Sequence, residues 1–173
     1  GVACPVTMQT HTQVRCTLAP GQGRNLPVLV TVGARTSNSL TFSYDAPTLT
    51  SVTGSGPTAG GVTLTLAGLN FGLVATVAIG GVACPVTAQT HAQLECSLPQ
   101  GEGAGLPVIV TSGQQSSNAL SFSYARPALV RVTPSAVPTR GGTVLLVEGD
   151  DFGSAPTVTV GGAVCPVLRH TGR

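Results

Sequence analysis

The feature that most constrains this chain is an internal repeat. The segment from Gly80 to Gly103 has the sequence GGVACPVTAQTHAQLECSLPQGEG. It also occurs at the start of the chain as GVACPVTMQTHTQVRCTLAPGQG, and it begins a third time near the end as GGAVCPV. Cys4 and Cys84 are 80 residues apart, and Cys84 and Cys165 are 81 apart. A chain of 173 residues with this period contains one whole unit and two partial units.

The period divides the chain into three units. We predict that residues 1–46 are the later half of one repeat, that residues 47–125 are a complete repeat, and that residues 126–173 are the first half of a third. The units meet at two similar sequences, SYDAPTL and SYARPAL. Because proline fixes its own φ and restricts the residue before it, we expect both junctions to be short and stiff.

Apolar residues recur at every second position of the complete repeat, which is typical of strands with one buried face. Leu64 and Leu66, for example, alternate with threonines in VTLTLAG. Seven such runs are separated by turn signals: Leu49–Val52, 62–68, Thr76–Ile79, Val82–Val86, Gln93–Leu98, Leu106–Thr111 and Ala119–Tyr124. Gly80-Gly81 predicts a tight hairpin between two of them. Without any helical periodicity, the sequence predicts an all-β fold of tandem immunoglobulin-like antiparallel β-sandwiches.

The five cysteines fit the same repeat. Cys4 and Cys16 are 12 residues apart, as are Cys84 and Cys96, and Cys165 occupies the first position of a third pair. The partner of Cys165 would fall beyond the end of the chain. One pair per repeat predicts a disulfide in each, and therefore an oxidising, extracellular or cell-surface location. Free buried thiols and a zinc site stay open as alternatives, although zinc usually needs clustered ligands and each repeat has two cysteines and one histidine.

Charge and composition argue against several functional classes. Charged residues make up 8% of the chain, and its net charge of +2 is carried by scattered arginines without any lysine. A nucleic-acid interface needs a clustered basic face with stacking aromatic residues, but aromatics make up only 3% here. No apolar run reaches the ~18 residues that a membrane span requires. We therefore expect no nucleic-acid partner and no membrane span in this segment.

No residue pattern indicates catalysis or a cofactor. His11 and His91 occupy equivalent positions, and His170 is one residue out of register. A single histidine per repeat is more typical of a turn or surface than of a metal ligand or a general base. The GQG (21–23) and GEG (101–103) sequences lie between predicted strands and open no helix, so they do not indicate a phosphate site. We predict that the protein is not an enzyme.

One acidic cluster, formed by Glu148, Asp150 and Asp151, interrupts this neutral composition. A calcium site between repeats would need several convergent oxygen ligands, and three carboxylates in one turn leave that alternative open. A solvated loop is the simpler interpretation, so we predict neither a metal nor a cofactor site.

Outward-facing hydroxyls are frequent on the predicted strands, at Thr63, Thr65, Ser121 and Ser123. They suit a solvated sheet face and would also accept O-linked sugars. The chain has no N-x-S/T sequence, so we expect no N-linked sugars in this segment.

The motifs of the repeat follow one another in an order that resembles a known domain family. P-x-L-x-x-V is followed by GPTAGGVTLTLAGLNFG (56–72), VAIGGVACPV, a second cysteine with LPQGEG, and finally V-I-V and SFSY. This order is similar to that of the IPT/TIG domain, an immunoglobulin-like module of plexins and related receptors, fibrocystin-like proteins and Rel-type transcription factors. The resemblance implies a non-enzymatic β-sandwich. In extracellular members the motif cysteines pair, which implies the pairs Cys4–Cys16 and Cys84–Cys96.

Our first functional hypothesis is an extracellular structural protein whose repeats run head to tail as a stalk, fibre or surface filament. The second is a ligand-binding ectodomain fragment of a receptor or adhesin, and the third is an accessory region of a carbohydrate-active enzyme. The expected partners are neighbouring repeats of the same or an identical chain. Both ends of the chain contain a Cys-Pro-Val strand, which strand complementation between molecules would supply twice, so we favour a longer covalent array over a strand-complemented polymer.

Overall fold

The computed structural model describes residues 3–168, which form strands and no helix. The strands of the first segment are β1 (Val6–Gln9), β2 (Val14–Cys16), β3 (Leu26–Val28), β4 (Thr31–Val32), β5 (Arg35–Thr36) and β6 (Leu40–Phe42). The central repeat contains β7 (Thr48–Thr53), β8 (Thr63–Leu69), β9 (Ala75–Ile79), β10 (Val82–Cys84), β11 (Val86–Gln89), β12 (Gln93–Ser97), β13 (Leu106–Ser112), β14 (Gln115–Ser116) and β15 (Leu120–Phe122). The last segment contains β16 (Ala128–Thr133), β17 (Leu146–Asp150), β18 (Val158–Val160) and β19 (Ala163–Cys165).

The central repeat is a sandwich of two antiparallel sheets. One sheet has the order β11-β12-β8-β7, and the other has the order β10-β9-β13-β14 with β15 also pairing with β13. The apolar residues that alternate along each strand face the opposite sheet, because successive side chains of a strand point to opposite faces. The predicted all-β, immunoglobulin-like architecture is therefore confirmed.

The core lies between these two sheets. Leu64 and Leu66 of β8, Leu94 of β12 and Val108 and Val110 of β13 are all fully buried. The alternation in the sequence thus predicted the correct inward face of β8, which carries Leu64 and Leu66. Burying each such side chain contributes about 1.5–3 kcal/mol relative to leaving it in water.

Gly80 and Gly81 form the predicted two-residue hairpin, which joins β9 to β10 with Val82 opposite Ile79. Both glycines have positive φ, at 57° and 86°. Such turns require this conformation, and glycine adopts it without steric cost.

The predicted strand Val82–Val86 is wrong as a single element. β10 pairs with β9 in one sheet, whereas β11 pairs with β12 in the other. The change of sheet occurs at Pro85, which has no backbone N–H to donate to a strand partner. The short strand β14 was not predicted either, because two residues are too few to show an alternating pattern.

The first segment repeats the later strands of the central repeat, with β1–β2, β3–β6 and β4–β5 as antiparallel pairs. Its apolar residues are much more exposed than their counterparts 80 residues later: 47% of Val14 and 51% of Leu18 are exposed, against 0% of Leu94 and 2% of Leu98. The apolar face of these strands is thus uncovered, because residues 3–46 contain no strands equivalent to β7, β8 and β9.

Candidate functional site at the repeat junctions

The loop at residues 101–103, which we call a G-x-G loop, is built around Tyr124. The Tyr124 hydroxyl donates a hydrogen bond to the Pro99 carbonyl at 2.9 Å, and burial raises the pKa of this phenol. A Cβ at Gly101 would lie 2.6 Å from the tyrosine ring, and Gly103 has a φ of 107°. Both glycines are therefore fixed by local packing and backbone conformation, which leaves the middle residue free for another role.

The equivalent G-x-G loop at residues 21–23 has the same construction. The Tyr44 hydroxyl donates to the Ala19 carbonyl at 2.8 Å. A Cβ at Gly21 would lie 2.5 Å from Tyr44, and the φ of Gly23 is 110°. The two loops thus differ mainly in their middle residue, which is glutamine in one and glutamate in the other.

Gln22, the middle residue of the first loop, contacts the central repeat. Its Oε1 accepts hydrogen bonds from the N–H groups of Leu73 and Val74 at 2.6 and 2.7 Å, and its Nε2 donates to the Val74 carbonyl at 2.8 Å. The Gln115 side chain returns a contact in the opposite direction, donating from Nε2 to the Tyr44 carbonyl at 3.0 Å. At the first junction, therefore, a side chain of each unit forms hydrogen bonds with backbone groups of the other unit.

Glu102, the middle residue of the second loop, makes the corresponding contact to the last segment. Its carboxylate accepts hydrogen bonds from the Ser154 N–H at 3.0 Å and from the Ser154 hydroxyl at 3.2 Å. Beside it, Asp151 Oδ1 accepts from the N–H and hydroxyl of the buried Thr58, at 2.8 and 3.3 Å. Residues at the same position of successive repeats thus form both junctions, through an amide in the first and a carboxylate in the second.

The receiving loops, residues 70–74 (the N-F-G loop) and 151–155 (the D-F-G loop), contain a glycine that the junction requires. Gly72 has a φ of 71°, and a Cβ there would lie 2.5 Å from Gln22 Oε1. Gly153 has a φ of 69°, and a Cβ there would overlap the Glu102 carboxylate. A side chain at Gly72 would therefore displace Gln22, and one at Gly153 would displace Glu102.

The N-F-G loop is also held from within its own repeat. Phe71 is fully buried. Gln89 Oε1 accepts from the Ala75 N–H at 3.0 Å, and its Nε2 donates to the carbonyls of Phe71 and Gly72 at 3.3 and 3.1 Å. These contacts hold the loop from within the central repeat and do not involve Gln22.

Each junction has a shallow groove beside it. The groove at the second junction has a volume of about 240 Å³ and is lined by Thr58, Gln100, Gly101 and Ser154. The groove at the first junction has a volume of about 200 Å³ and is lined by Pro20, Gly21, Tyr44, Asp45, Asn70, Gly72 and His91. Within residues 3–168, no three or more His, Cys, Asp and Glu side chains are arranged to hold a metal ion.

The structure places the cysteines in two disulfides. Cys4 is bonded to Cys16, and Cys84 to Cys96, with Cα–Cα distances of 5.5 and 5.6 Å. Cys84 lies in β10 and Cys96 in β12, so this bond links the two sheets of the central sandwich. Cys165 has a free thiol and is half-buried. Its pairing with a cysteine beyond residue 173 stays a prediction.

The acidic cluster is divided between two roles. Glu148 lies in β17 and forms an ion pair of 2.7 Å with Arg131 of β16. Asp151 belongs to the second junction through Thr58. The simple solvated loop that we expected is therefore wrong for these two residues, because pairing across the strands holds one and the preceding repeat holds the other.

The histidine side chains that the structure describes form neither an ion pair nor a junction contact of the kind that Glu148 and Asp151 make. His11 and His91 are exposed. His91 lines the groove at the first junction, and its backbone carbonyl accepts from the Phe71 N–H at 3.0 Å. His170 lies outside the described residues.

Our sequence reasoning missed the junction residues Gln22 and Glu102, and also Asn118, whose side chain bonds the N–H and carbonyl of Leu49. The G-x-G pattern is visible in the sequence, but there it indicates only a connection between two predicted strands. A polar residue held between two required glycines was the available signal. Its partner could not be identified, because the receiving loop lies about 50 residues further along the chain.

The strands, their order and the two junctions define a class, namely tandem immunoglobulin-like β-sandwich repeats. The family comparison is more specific: the IPT/TIG domain matches three times, over residues 1–44, 47–124 and 127–172. The chain therefore belongs to the IPT/TIG domain family.

Several solved structures share a distant likeness with the chain. The extracellular region of plexin A4 (domains 1 to 10) is 23% identical and covers 79% of this chain, which spans 12% of that chain, with a TM-score of 0.47. A putative phosphatase from Bacteroides thetaiotaomicron is 23% identical over 51% of this chain and 20% of its own, with a TM-score of 0.37. A protein crystallised with a xylogluco-oligosaccharide is 13% identical over 85% of this chain and 46% of its own, with a TM-score of 0.41.

No helix within residues 3–168 is long and apolar enough to cross a membrane.

Proposed function

We propose that this chain is part of a non-enzymatic extracellular structural protein, in which IPT/TIG repeats run head to tail as a stalk, fibre or surface filament. The observation that carries the proposal is the recurrence of one contact. Gln22 and Glu102, at the same position of successive repeats, each bind the loop of the next repeat. A contact that recurs with the repeat gives successive junctions a similar geometry, and similar junctions produce a regular array.

Two further observations support an extracellular array. The disulfides Cys4–Cys16 and Cys84–Cys96 suit an oxidising compartment, because such bonds are rare in the reducing cytosol. The short linkers with Pro47 and Pro127 leave little freedom between units. The exposed hydroxyls of Thr63, Ser121 and Ser123 would face solvent along the array and are candidate positions for O-linked sugars.

The proposal is tested on native material from the source cell, with antibodies raised against the central repeat. We expect the antigen in the medium or on the cell surface, and we expect cysteines 84 and 96 to resist alkylation until a reductant is added. Electron microscopy of the purified antigen should show thin, straight particles many repeats long. A cytosolic antigen with freely alkylated cysteines would exclude the proposal.

The same material separates this function from the receptor or adhesin alternative. Electrophoresis under denaturing, reducing conditions should give a band much heavier than 17.2 kDa for a covalent array. A membrane-bound protein in which one divergent repeat binds a defined ligand would favour the ectodomain. A band near the mass of this chain would favour a strand-complemented polymer instead.

A further inference from the structure

The two junctions use the same position but bind different sets of backbone and side-chain groups. Gln22 acts as both acceptor and donor, because its amide meets two N–H groups and one carbonyl of the N-F-G loop. Glu102 acts only as an acceptor, because its carboxylate meets the N–H and the hydroxyl of Ser154. An ionised carboxylate has no proton to donate, so it cannot replace the amide opposite a carbonyl.

We propose that the middle residue of the G-x-G loop restricts which repeat can follow it, because a glutamate excludes a receiving loop that presents a carbonyl, and that it thereby constrains the order of repeats along the array. A glutamine fits a following loop that offers donors and one carbonyl acceptor. A glutamate fits only a loop that meets it with donors and no carbonyl, as the N–H and hydroxyl of Ser154 do. The proposal goes beyond the structural role, because a receptor ectodomain with ordered repeats would need the same pairing.

The required glycines make this pairing selective. Gly72 and Gly153 let the incoming side chain approach the receiving backbone at hydrogen-bond distance, without space for a bridging water at the contact. A direct contact cannot change its pattern of donors and acceptors by inserting a solvent molecule, whereas a water-mediated contact can. The donors and acceptors of the middle residue must therefore match those of the receiving loop directly.

The geometry predicts an asymmetry between the two exchanges of amide and carboxylate. In Gln22→Glu, a carboxylate oxygen would lie about where Nε2 lies now, 2.8 Å from the Val74 carbonyl oxygen, and the two acceptors would repel each other. In Glu102→Gln, the new amide nitrogen would face the Ser154 hydroxyl, which rotates and accepts a hydrogen bond. The first exchange should open its junction, and the second should leave its junction closed.

The test measures amide hydrogen exchange by NMR in the 173-residue chain, at the N–H groups of Val74 and Ser154. We expect Gln22→Glu to lower protection at Val74 at least as much as Gln22→Ala does, by roughly tenfold, the factor for losing one to two net hydrogen bonds. We expect Glu102→Gln to lower protection at Ser154 less than threefold, and Glu102→Ala to lower it by several-fold. Amides of the core strand β13 should keep their protection in every variant, which separates opening of a junction from unfolding.

The outcomes distinguish the two proposals. Equal effects of Gln22→Glu and Glu102→Gln would overturn the ordering role while leaving a regular array intact. Unchanged protection at Val74 in Gln22→Ala would show that this contact is not formed in solution, and would overturn both the ordering role and the contact on which the array rests.

Discussion

Leucine occupies equivalent positions in the first segment and in the central repeat, at Leu18 and Leu98, but only the second is enclosed. Leu98 is 2% exposed within the sandwich core, whereas Leu18 is 51% exposed. Replacing each by alanine therefore makes the same chemical change in two environments. The comparison measures how much of the stability comes from the covering sheet.

For Leu98→Ala, we expect the free energy of unfolding to fall by about 2–5 kcal/mol, because the change removes buried surface and leaves a cavity. A loss of about 3 kcal/mol would lower the Tm of a unit of this size by roughly 12–24 °C. For Leu18→Ala, we expect about 1 kcal/mol or less, because only half of the side chain leaves water and no closed cavity forms. The expected difference is large enough to measure for a single domain.

The assay is urea unfolding of the intact, oxidised chain, followed by far-UV circular dichroism because the chain has no tryptophan. Each variant is measured at two protein concentrations that differ by about tenfold, a range over which association would shift the midpoint. Equal losses for the two variants would refute the reasoning. A Leu18→Ala loss that also grew with concentration would indicate that strands of a second molecule cover the first segment.

Three further predictions concern the disulfide, the junction backbone and the buried tyrosine. Replacing Cys84 and Cys96 together by alanine should destabilise the central repeat by roughly 3 kcal/mol on the chain-entropy model, as measured by urea unfolding against the wild type with and without reductant. Gly113→Ala and Gly33→Ala impose the same positive-φ strain, at 55° and 54°, but only at Gly113 would the new Cβ collide with the preceding G-x-G loop, where it would overlap the N–H of Gly23 and lie 2.5 Å from its Cα. Only Gly113→Ala should therefore lower amide protection at the first junction, and equal effects would contradict the observed contact. Because burial raises the pKa of Tyr124 above 10.0, the stability that its neutral phenol contributes is present below that pH and is lost as pH rises through the folded-state pKa. Alkaline unfolding of Tyr124→Phe should lack this loss, and an unchanged pH profile would count against the burial of the hydroxyl.

The sequence alone determined the fold class, the repeat and the inward faces of the strands. Strict alternation placed Leu64 and Leu66 on the core side, because the period of two in a strand is a local property. Gly80-Gly81 likewise predicted its hairpin, since the required φ values depend on only two residues. The equal spacing of the cysteine pairs identified Cys84 and Cys96, which the structure joins across the two sheets.

Only the tertiary structure decided what the middle residue of each G-x-G loop does. Gln22 and Glu102 look like ordinary turn residues, because their partners lie in loops about 50 residues further along the chain. The change of sheet at Pro85 was likewise hidden, since no local pattern states which sheet a strand joins. The exposure of Leu18 depends on whether a second sheet covers it, which its own alternation does not reveal. Local periodicity therefore specified the strands of this protein, while contacts between residues distant in sequence specified its junctions.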